Sequence, residues 1–112
     1  LVLMKLTRQD FADAKAKFGD EEGIINQGIC TKGVKIAGII VKKENNDYYI
    51  SLRSKSGINV ADIAKKFGGG GHENMSAFTY KGNLINIKDD FLLACKKELI
   101  KSRARDDFNL MF

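Results

Sequence analysis

The chain has 112 residues, of which 44% are hydrophobic and 29% are charged, and its formal net charge is +5. This length and composition indicate one globular domain, large enough for one hydrophobic core and too small for two. No apolar run approaches the ~20 residues that cross a bilayer, so we expect no membrane association and a cytoplasmic location. The moderate basic surplus fits a polyanionic partner, and it fits a generic basic surface equally well.

The first third of the sequence predicts one strand and two helices. The opening residues LVLMKL predict a short buried strand. Residues 7–19 predict a helix that carries Phe11, Ala14 and Phe18 at helical spacing, and residues 21–30 predict a second, short helix. The chain opens on Leu and ends in NLMF, so we expect it to be a piece of a longer protein.

The two cysteines, Cys30 and Cys95, lie far apart in the sequence and lack the spacing of metal ligands. Both have apolar neighbours. We therefore expect two buried free thiols in a reducing compartment.

The middle of the chain predicts a hairpin. Residues 34–43 are apolar on both faces, as in a central strand, and the turn residues 45–47 follow them. The next segment, YYISLRS, alternates with period two. One face of this strand carries Tyr48, Ile50 and Leu52, and the other carries Tyr49, Ser51 and Arg53.

The second half predicts a helix, a second hairpin and a long final helix. Asn59 is the predicted N-cap of a helix that extends through Phe67. The segments AFTY and LINI predict a hairpin around residues 81–83, and the last helix is expected to start near Asp89 or Asp90. That helix would turn Phe91, Ala94, Cys95 and Leu99 inward and Lys97, Lys101 and Arg105 outward. The sum is an α+β fold, a small mixed β-sheet packed with helices in a single domain of residues 1–112.

Four consecutive glycines follow the predicted helix, and the only histidine of the chain follows them. One glycine suits the left-handed C-cap position, but four exceed that need and add disorder to the unfolded chain. Either the loop is a tolerated flexible tip, or its bare amides bind an anion, with HENMSA forming a short helix behind it. Local physics leaves both interpretations open.

Two side chains favour a binding role for this loop. His72 follows the glycines directly, and an imidazole there can donate to a phosphate oxygen or a sugar hydroxyl. Arg53 shares a strand face with Ser51, and its planar guanidinium suits bidentate phosphate recognition. A lone histidine is more often an ordinary surface residue, and a solvated strand arginine is common.

The segment SLRSKSGINVADIAKKFGGGGHENMSA, residues 51–77, resembles the DHH-associated domain, the C-terminal substrate-binding subdomain of DHH-family phosphoesterases. The family pattern is an S-[LF]-R-S strand, a helix ending in [KR]-F-G-G-G-G-H, and then x-x-A-S-G. The sequence is most similar to the nano-RNase branch, which contains oligoribonucleases and phosphoadenosine-phosphate phosphatases. Met75 and Ala77 depart from the pattern, so base or sugar specificity does not follow from it.

The resemblance implies a set of substrate-binding residues. These are Arg53, Gly68, Gly69, Gly70, Gly71, His72 and Ser76. It also implies that catalysis uses two divalent ions, usually manganese, held by a separate N-terminal DHH domain. No catalytic or metal-binding residue is then expected in this chain, which alone would be an inactive part of a hydrolase. Its role would be to hold a short oligonucleotide, phosphoadenosine phosphate or a cyclic dinucleotide, as an exonuclease or phosphatase requires, and a homodimer is compatible with this role.

Two other functions remain open at this stage. The chain can be a stand-alone nucleic-acid-binding module that uses its basic surface without a catalytic partner domain. It can also be a structural or oligomerisation domain in which the glycines permit close packing.

Overall fold

The computed structural model describes residues 2–6, 21–43 and 47–110, and it has the predicted α+β architecture. Five strands form one mixed sheet, and helices pack on it. The elements in chain order are β1 (Val2–Leu6), α1 (Glu21–Cys30), β2 (Ile36–Lys42), β3 (Asp47–Ser54), α2 (Val60–Lys66), β4 (Gly70–His72), β5 (Met75–Lys81) and α3 (Leu84–Leu110). The predicted helix in residues 7–19 and the turn residues 45 and 46 lie outside the described residues.

The strand order in the sheet is β1-β2-β3-β5-β4. Strand β1 runs parallel to β2, and the remaining neighbours are antiparallel. The predicted β2–β3 hairpin is confirmed, with Ile39 opposite Ser51. Strand β2 is buried along almost its whole length, because it lies inside the sheet and has apolar cover on both faces.

Each face of the sheet carries its own apolar cluster. On the first, which we call the core face, Ile50 and Leu52 of β3 pack with Phe78 of β5 and with buried residues of α2 and α3. On the second, which we call the site face, Ile25 of α1 packs on Ala37, Ile39 and Val41 of β2. The alternation predicted for β3 is therefore confirmed, since Tyr49 lies on the site face and Tyr48 on the core face.

Three aromatic rings join α2, β5 and α3 on the core face. The rings of Phe67 and Phe78 are stacked at 4.9 Å, and Phe91 packs 6.0 Å from Phe78. Helix α2 begins as predicted, because the side-chain oxygen of Asn59 accepts from the N–H of Asp62 at 3.2 Å. At the other end of α2, the stacking of the C-cap residue Phe67 on Phe78 holds the helix against β5.

The prediction of a hairpin between AFTY and LINI is wrong, because only AFTY forms a strand. Strand β5 pairs with β4, and the segment LINI forms the first turn of α3, which starts five residues before the predicted Asp89. The side chain of Asn83 accepts from the N–H of Ile85 at 3.0 Å and so begins the helix. Ile85 is exposed, whereas Ile87 and Phe91, four residues apart, are both buried. The buried positions therefore have helical spacing.

The predicted short helix in HENMSA is also wrong. Residues 70–72 form the edge strand β4, and a tight turn at Glu73 and Asn74 connects it to β5. The glycines do not lead into a helix N-terminus, so an anion at this loop would meet strand amides and not a helix dipole.

The two cysteines differ in environment. Cys95 is buried on α3 as predicted, and burial raises the pKa of its thiol to about 11. Cys30 is exposed at the end of α1, so the prediction of a buried thiol is wrong there, because the last turn of that helix turns this side chain to solvent. Lys97 and Lys101 face outward as predicted, and the side chain of Arg105 lies outside the described part.

Among the helices that the structure describes, none combines the length and the apolar character that crossing a membrane would require.

Candidate functional site

An open pocket of about 240 Å³ lies on the site face, over the end of the sheet that contains β3, β5 and β4. It lies beside the region that α1 covers. The described residues that line it are Tyr49, Ser51, Arg53, Gly70, Gly71, His72, Met75, Ser76 and Ala77. The structure thus brings five of the seven predicted site residues to one place, and Gly68 and Gly69 do not line the pocket.

The strand register arranges the pocket in two parallel rows across the sheet. In the first row, Met75 of β5 lies opposite Arg53 of β3 on one side and opposite His72 of β4 on the other. In the second row, Ala77 lies in the same way between Ser51 and Gly70. The two rows are about 7 Å apart, because two residues of a strand separate them.

The side chains of the two rows differ in size, and this difference makes the depression. The second row consists of Ser51, Ala77 and Gly70, whose side chains are small or absent, so it forms a low floor. The first row has three long side chains, which form a wall.

Arg53 is buried although it carries a permanent charge. The residue is 7% exposed, and one of its terminal nitrogens donates to the carbonyl oxygen of Leu52 at 3.0 Å. A guanidinium presents five N–H donors in a fixed plane, a geometry that suits a strand carbonyl and a phosphate ligand alike. Charge-assisted hydrogen bonds from such a group are roughly twice as strong as neutral ones.

Ser51 is a site residue that the motif comparison missed. It is 1% exposed, and its hydroxyl has no hydrogen-bond partner among the residues that the structure describes. Leaving a buried hydroxyl unsatisfied costs about 1–3 kcal/mol. Ser51 lines the pocket floor, and a ligand that reaches its hydroxyl would remove that cost. The alternation of YYISLRS placed Ser51 beside Arg53 and was the signal for it.

The four glycines serve different purposes. Gly68 has a φ of +82° and ends helix α2 in the left-handed conformation. A Cβ at Gly69 would overlap the carbonyl oxygen of Ala77 and lie 2.5 Å from the Cβ of Phe78. A Cβ at Gly71 would overlap the carbonyl oxygen of Met75, and its φ of +147° also disfavours a side chain. The fold itself therefore requires glycine at these three positions.

Gly70 is different. Its φ is not in the left-handed region, and a Cβ built on it would meet nothing within 4 Å. Since neither packing nor backbone conformation requires glycine here, the open space above Gly70 has no use within the described fold. It lies in the pocket floor, where a bare backbone lets a ligand approach the strand closely.

His72 is exposed at the end of β4, and a hydrogen-bond network fixes the turn behind it. The amide group of Asn74 donates to the hydroxyl of Ser54 at 3.0 Å and to the carbonyl of Lys55 at 2.9 Å. The N–H of Val60 donates to the carbonyl of Glu73 at 2.8 Å. The β4–β5 turn is thus attached to the end of β3 and to the start of α2. Sequence reasoning did not identify Asn74.

Ser76 borders the pocket, but its hydroxyl is directed elsewhere. It is 3% exposed and donates to the carbonyl oxygen of Val60 at 2.8 Å. This bond connects β5 to the first turn of α2. The role of Ser76 in binding a substrate stays a prediction.

Tyr49 completes the pocket on the side opposite Met75. Its ring is half-buried against the α1 cluster, and the ammonium of Lys43 lies 5.0 Å from the ring centroid.

The described part of the chain brings no three His, Cys, Asp or Glu residues together as a metal site would need.

Comparison with known proteins gives a consistent result. The DHHA1 domain family matches residues 9–101 of the chain. The bifunctional oligoribonuclease and PAP phosphatase NrnA of Mycoplasma genitalium is 41% identical over 68 residues, which are 59% of this chain and 20% of that protein. The NrnA of Thermus thermophilus is 31% identical over 68 residues, which are 60% of this chain and 21% of that protein. The chain therefore spans about a fifth of the length of these relatives.

A solved structure shares the fold. The crystal structure of an exopolyphosphatase-related protein from Bacteroides fragilis aligns with a TM-score of 0.72 and 28% identity. The alignment covers 85% of this chain and 28% of the other.

Proposed function

The chain belongs to the DHHA1 domain family, and we propose that it is the substrate-binding domain of a DHH-family phosphoesterase. This membership confirms the resemblance seen in residues 51–77. In the proposal, the pocket holds a phosphate group of a short oligonucleotide, phosphoadenosine phosphate or a cyclic dinucleotide. Hydrolysis itself takes place on another domain of the same protein.

One observation carries the proposal: the pocket combines the guanidinium of Arg53, the hydroxyl of Ser51 and the bare backbone of Gly70. A guanidinium and a hydroxyl donate hydrogen bonds, and a backbone without a side chain lets an anion approach. These are the groups that a phosphate oxygen requires. His72 stands at the rim, where it can donate to a second oxygen.

The relatives support a nucleotide as the ligand. The matched relatives from Mycoplasma genitalium and Thermus thermophilus are named as oligoribonucleases and PAP phosphatases, and both reactions act on phosphate esters of nucleotides. The structural neighbour is named as exopolyphosphatase-related, which again indicates a phosphate compound. Binding a phosphate group is common to all three names.

The chemistry of bond cleavage is assigned to a partner domain. Manganese or another divalent ion would be held by an N-terminal DHH domain, since the described residues of this chain offer no cluster of ligands for it. We therefore expect the chain alone to bind substrate without hydrolysing it. A homodimer and a cytoplasmic location stay predictions.

Gly70 offers a direct test of the proposal. The variant Gly70→Ala places a methyl group in the pocket floor without a clash or a strained backbone. We expect it to fold normally and to bind 3′-phosphoadenosine 5′-phosphate about tenfold more weakly, a loss of about 1.4 kcal/mol. Affinity is measured by the shifts of backbone amide resonances during titration, with thermal unfolding as a check on the fold.

A matched control is Gly23→Ala. Gly23 is exposed on α1, and a Cβ there also meets nothing within 4 Å. This variant should bind the ligand like the parent chain and should be slightly more stable, because alanine favours a helix. Equal affinity in Gly70→Ala and Gly23→Ala would contradict the proposed site.

The stand-alone nucleic-acid-binding alternative is distinguished by Arg53→Lys in the complete protein. If the pocket presents substrate to a catalytic domain, loss of the planar guanidinium raises KM with a smaller effect on kcat. A module that binds nucleic acid through its general basic surface would instead lose little affinity in this variant and would depend steeply on salt.

A further inference from the structure

Met75 is an exposed apolar side chain in the polar wall of the pocket. It is 52% exposed, and it belongs to neither of the two apolar clusters of the described fold. Its cross-strand neighbours are Arg53 on one side and His72 on the other. A single exposed apolar residue is ordinary on a protein surface. At this position, however, it interrupts a row that otherwise carries hydrogen-bond donors.

The floor beside Met75 is suited to a phosphate. The buried hydroxyl of Ser51 has no partner among the described residues, and the space above Gly70 is open. Arg53, the cross-strand neighbour of Met75, lines the same pocket with its guanidinium side chain. A phosphate on this floor would lie about 7 Å from the row of Met75, which is the span of one nucleotide from its phosphate to its base.

A base attached to that phosphate would therefore lie against Met75. Its thioether is flexible and polarisable and makes favourable contacts with aromatic rings. The exposed surface of Met75 is apolar, so the gain on contact increases with the ring area that it covers. A purine covers more of this surface than a pyrimidine does.

We propose that Met75 is a specificity-determining residue of this site, whose side chain packs against the nucleobase of the bound nucleotide and favours purines over pyrimidines. This inference rests on the proposed function, and it adds a base preference to a phosphate-binding site. It also assigns a role to a position at which the sequence departs from its family pattern.

The test compares two dinucleotides, pApA and pCpC, with inorganic pyrophosphate as a ligand that has no base. We expect the parent chain to bind pApA about three- to tenfold more tightly than pCpC, as the larger buried ring area implies. In Met75→Ala, affinity for pApA should fall by a similar factor and the preference should disappear. Affinity for pyrophosphate should stay unchanged.

Two further variants make the test specific. Met75→Leu keeps an apolar side chain of similar size, so it should retain most of the purine preference. Leu93→Ala removes an apolar side chain of nearly equal exposure, 51%, from α3 outside the pocket and should change none of these affinities.

The outcomes separate the two proposals. If Met75→Ala keeps the parent preference for pApA, or if the parent has none, the inference is wrong and the phosphate site stands. If neither dinucleotide nor pyrophosphate binds the parent chain, the proposed function fails and the inference fails with it.

Discussion

The side-chain amide of Asn74 donates a hydrogen bond to the hydroxyl of Ser54 at 3.0 Å, and this contact attaches the β4–β5 turn to the end of β3. The same amide reaches the carbonyl oxygen of Lys55, and the hydroxyl of Ser54 in turn donates to the carbonyl of Ile58 at 2.6 Å. The network fixes the turn from which His72 and Met75 extend. Its polar groups are partly buried, so each depends on the others for its partners.

We predict that Asn74→Ala lowers both stability and affinity. Removing the amide leaves the carbonyl of Lys55 and the hydroxyl of Ser54 with fewer partners, which should lower the free energy of unfolding by about 1–3 kcal/mol. The turn then loses its attachment, and ligand binding weakens although Asn74 does not line the pocket. Urea unfolding and ligand titration measure the two effects.

Glu73→Ala is the control, because Glu73 contributes its backbone carbonyl to the network and its side chain is exposed. Equal stability of the two variants would contradict this prediction.

Ser51→Ala should separate stability from binding. Because its buried hydroxyl has no partner among the described residues, replacing it with a methyl group should leave the free energy of unfolding unchanged or raise it by up to about 1 kcal/mol. Phosphate affinity should fall about three- to tenfold, since the ligand loses one hydrogen bond. The exposed Ser56 provides the control variant Ser56→Ala, which should alter neither quantity. A clear loss of stability in Ser51→Ala would show that the hydroxyl has a structural partner.

Gly69→Ala and Gly71→Ala should be strongly destabilising, unlike Gly70→Ala. Each would force a methyl group against the backbone of β5, at Ala77 in one case and at Met75 in the other. Since strand backbone cannot move away without breaking its pairing, we expect losses of at least 2–3 kcal/mol, roughly the cost of overpacking a core. Thermal denaturation of the three variants side by side provides the measurement. A Gly69→Ala protein as stable as Gly70→Ala would contradict the close approach of the Gly69 backbone to β5.

The two thiols should react differently in the native chain. Cys30 is exposed, and Cys95 is 1% exposed with its pKa raised by burial from the ordinary 9.0 to about 11. A thiol reagent at pH 8 should therefore modify one cysteine in the folded protein and both in denaturant, because the thiolate is the reactive form. Mass spectrometry of the labelled peptides identifies which one reacts. Rapid labelling of Cys95 in the folded chain would contradict its burial.

The same shift has a consequence for stability at high pH. Between about pH 9 and pH 11 the unfolded chain ionises Cys95 while the folded chain keeps it protonated. The unfolded state then binds fewer protons, so the free energy of unfolding falls as pH rises through this window. Cys95→Ala should show a smaller fall than the parent chain, and an identical pH dependence would contradict the shift.

Local patterns predicted the elements that carry their own signals. Asn59 and the apolar stripe behind it specified α2, and the alternation of residues 48–54 specified β3 together with its two faces. Arg53 and His72 line one pocket, as the family resemblance suggested, and their binding role stays a prediction. Helix α2 and strand β3 depend on residues near one another in sequence, whereas the pocket depends on the pairing of β3 and β4 with β5.

Features that depend on distant partners were not predictable in this way. Strand β4 has almost no side chains, so nothing local distinguishes it from a loop, and its extended form depends on pairing with β5. The segment LINI suits a strand or a helix equally, and the cap at Asn83 and the buried Phe91 decide for the helix. The alternation placed Ser51 beside Arg53, but only the fold shows that its hydroxyl is buried and has no partner among the described residues.

The alternation of β3 has a consequence for how the site is formed. Leu52 packs in the core face, while Ser51 and Arg53 on either side of it line the pocket. A slip of one residue in the pairing of β3 with β5 would turn Arg53 into the apolar core face and turn Leu52 out of it. The burial of Leu52 in the core favours the native pairing over the slipped one. The same free energy therefore also keeps Ser51 and Arg53 in the pocket. A molecule that has completed folding has therefore already assembled its binding residues, without a separate step of maturation.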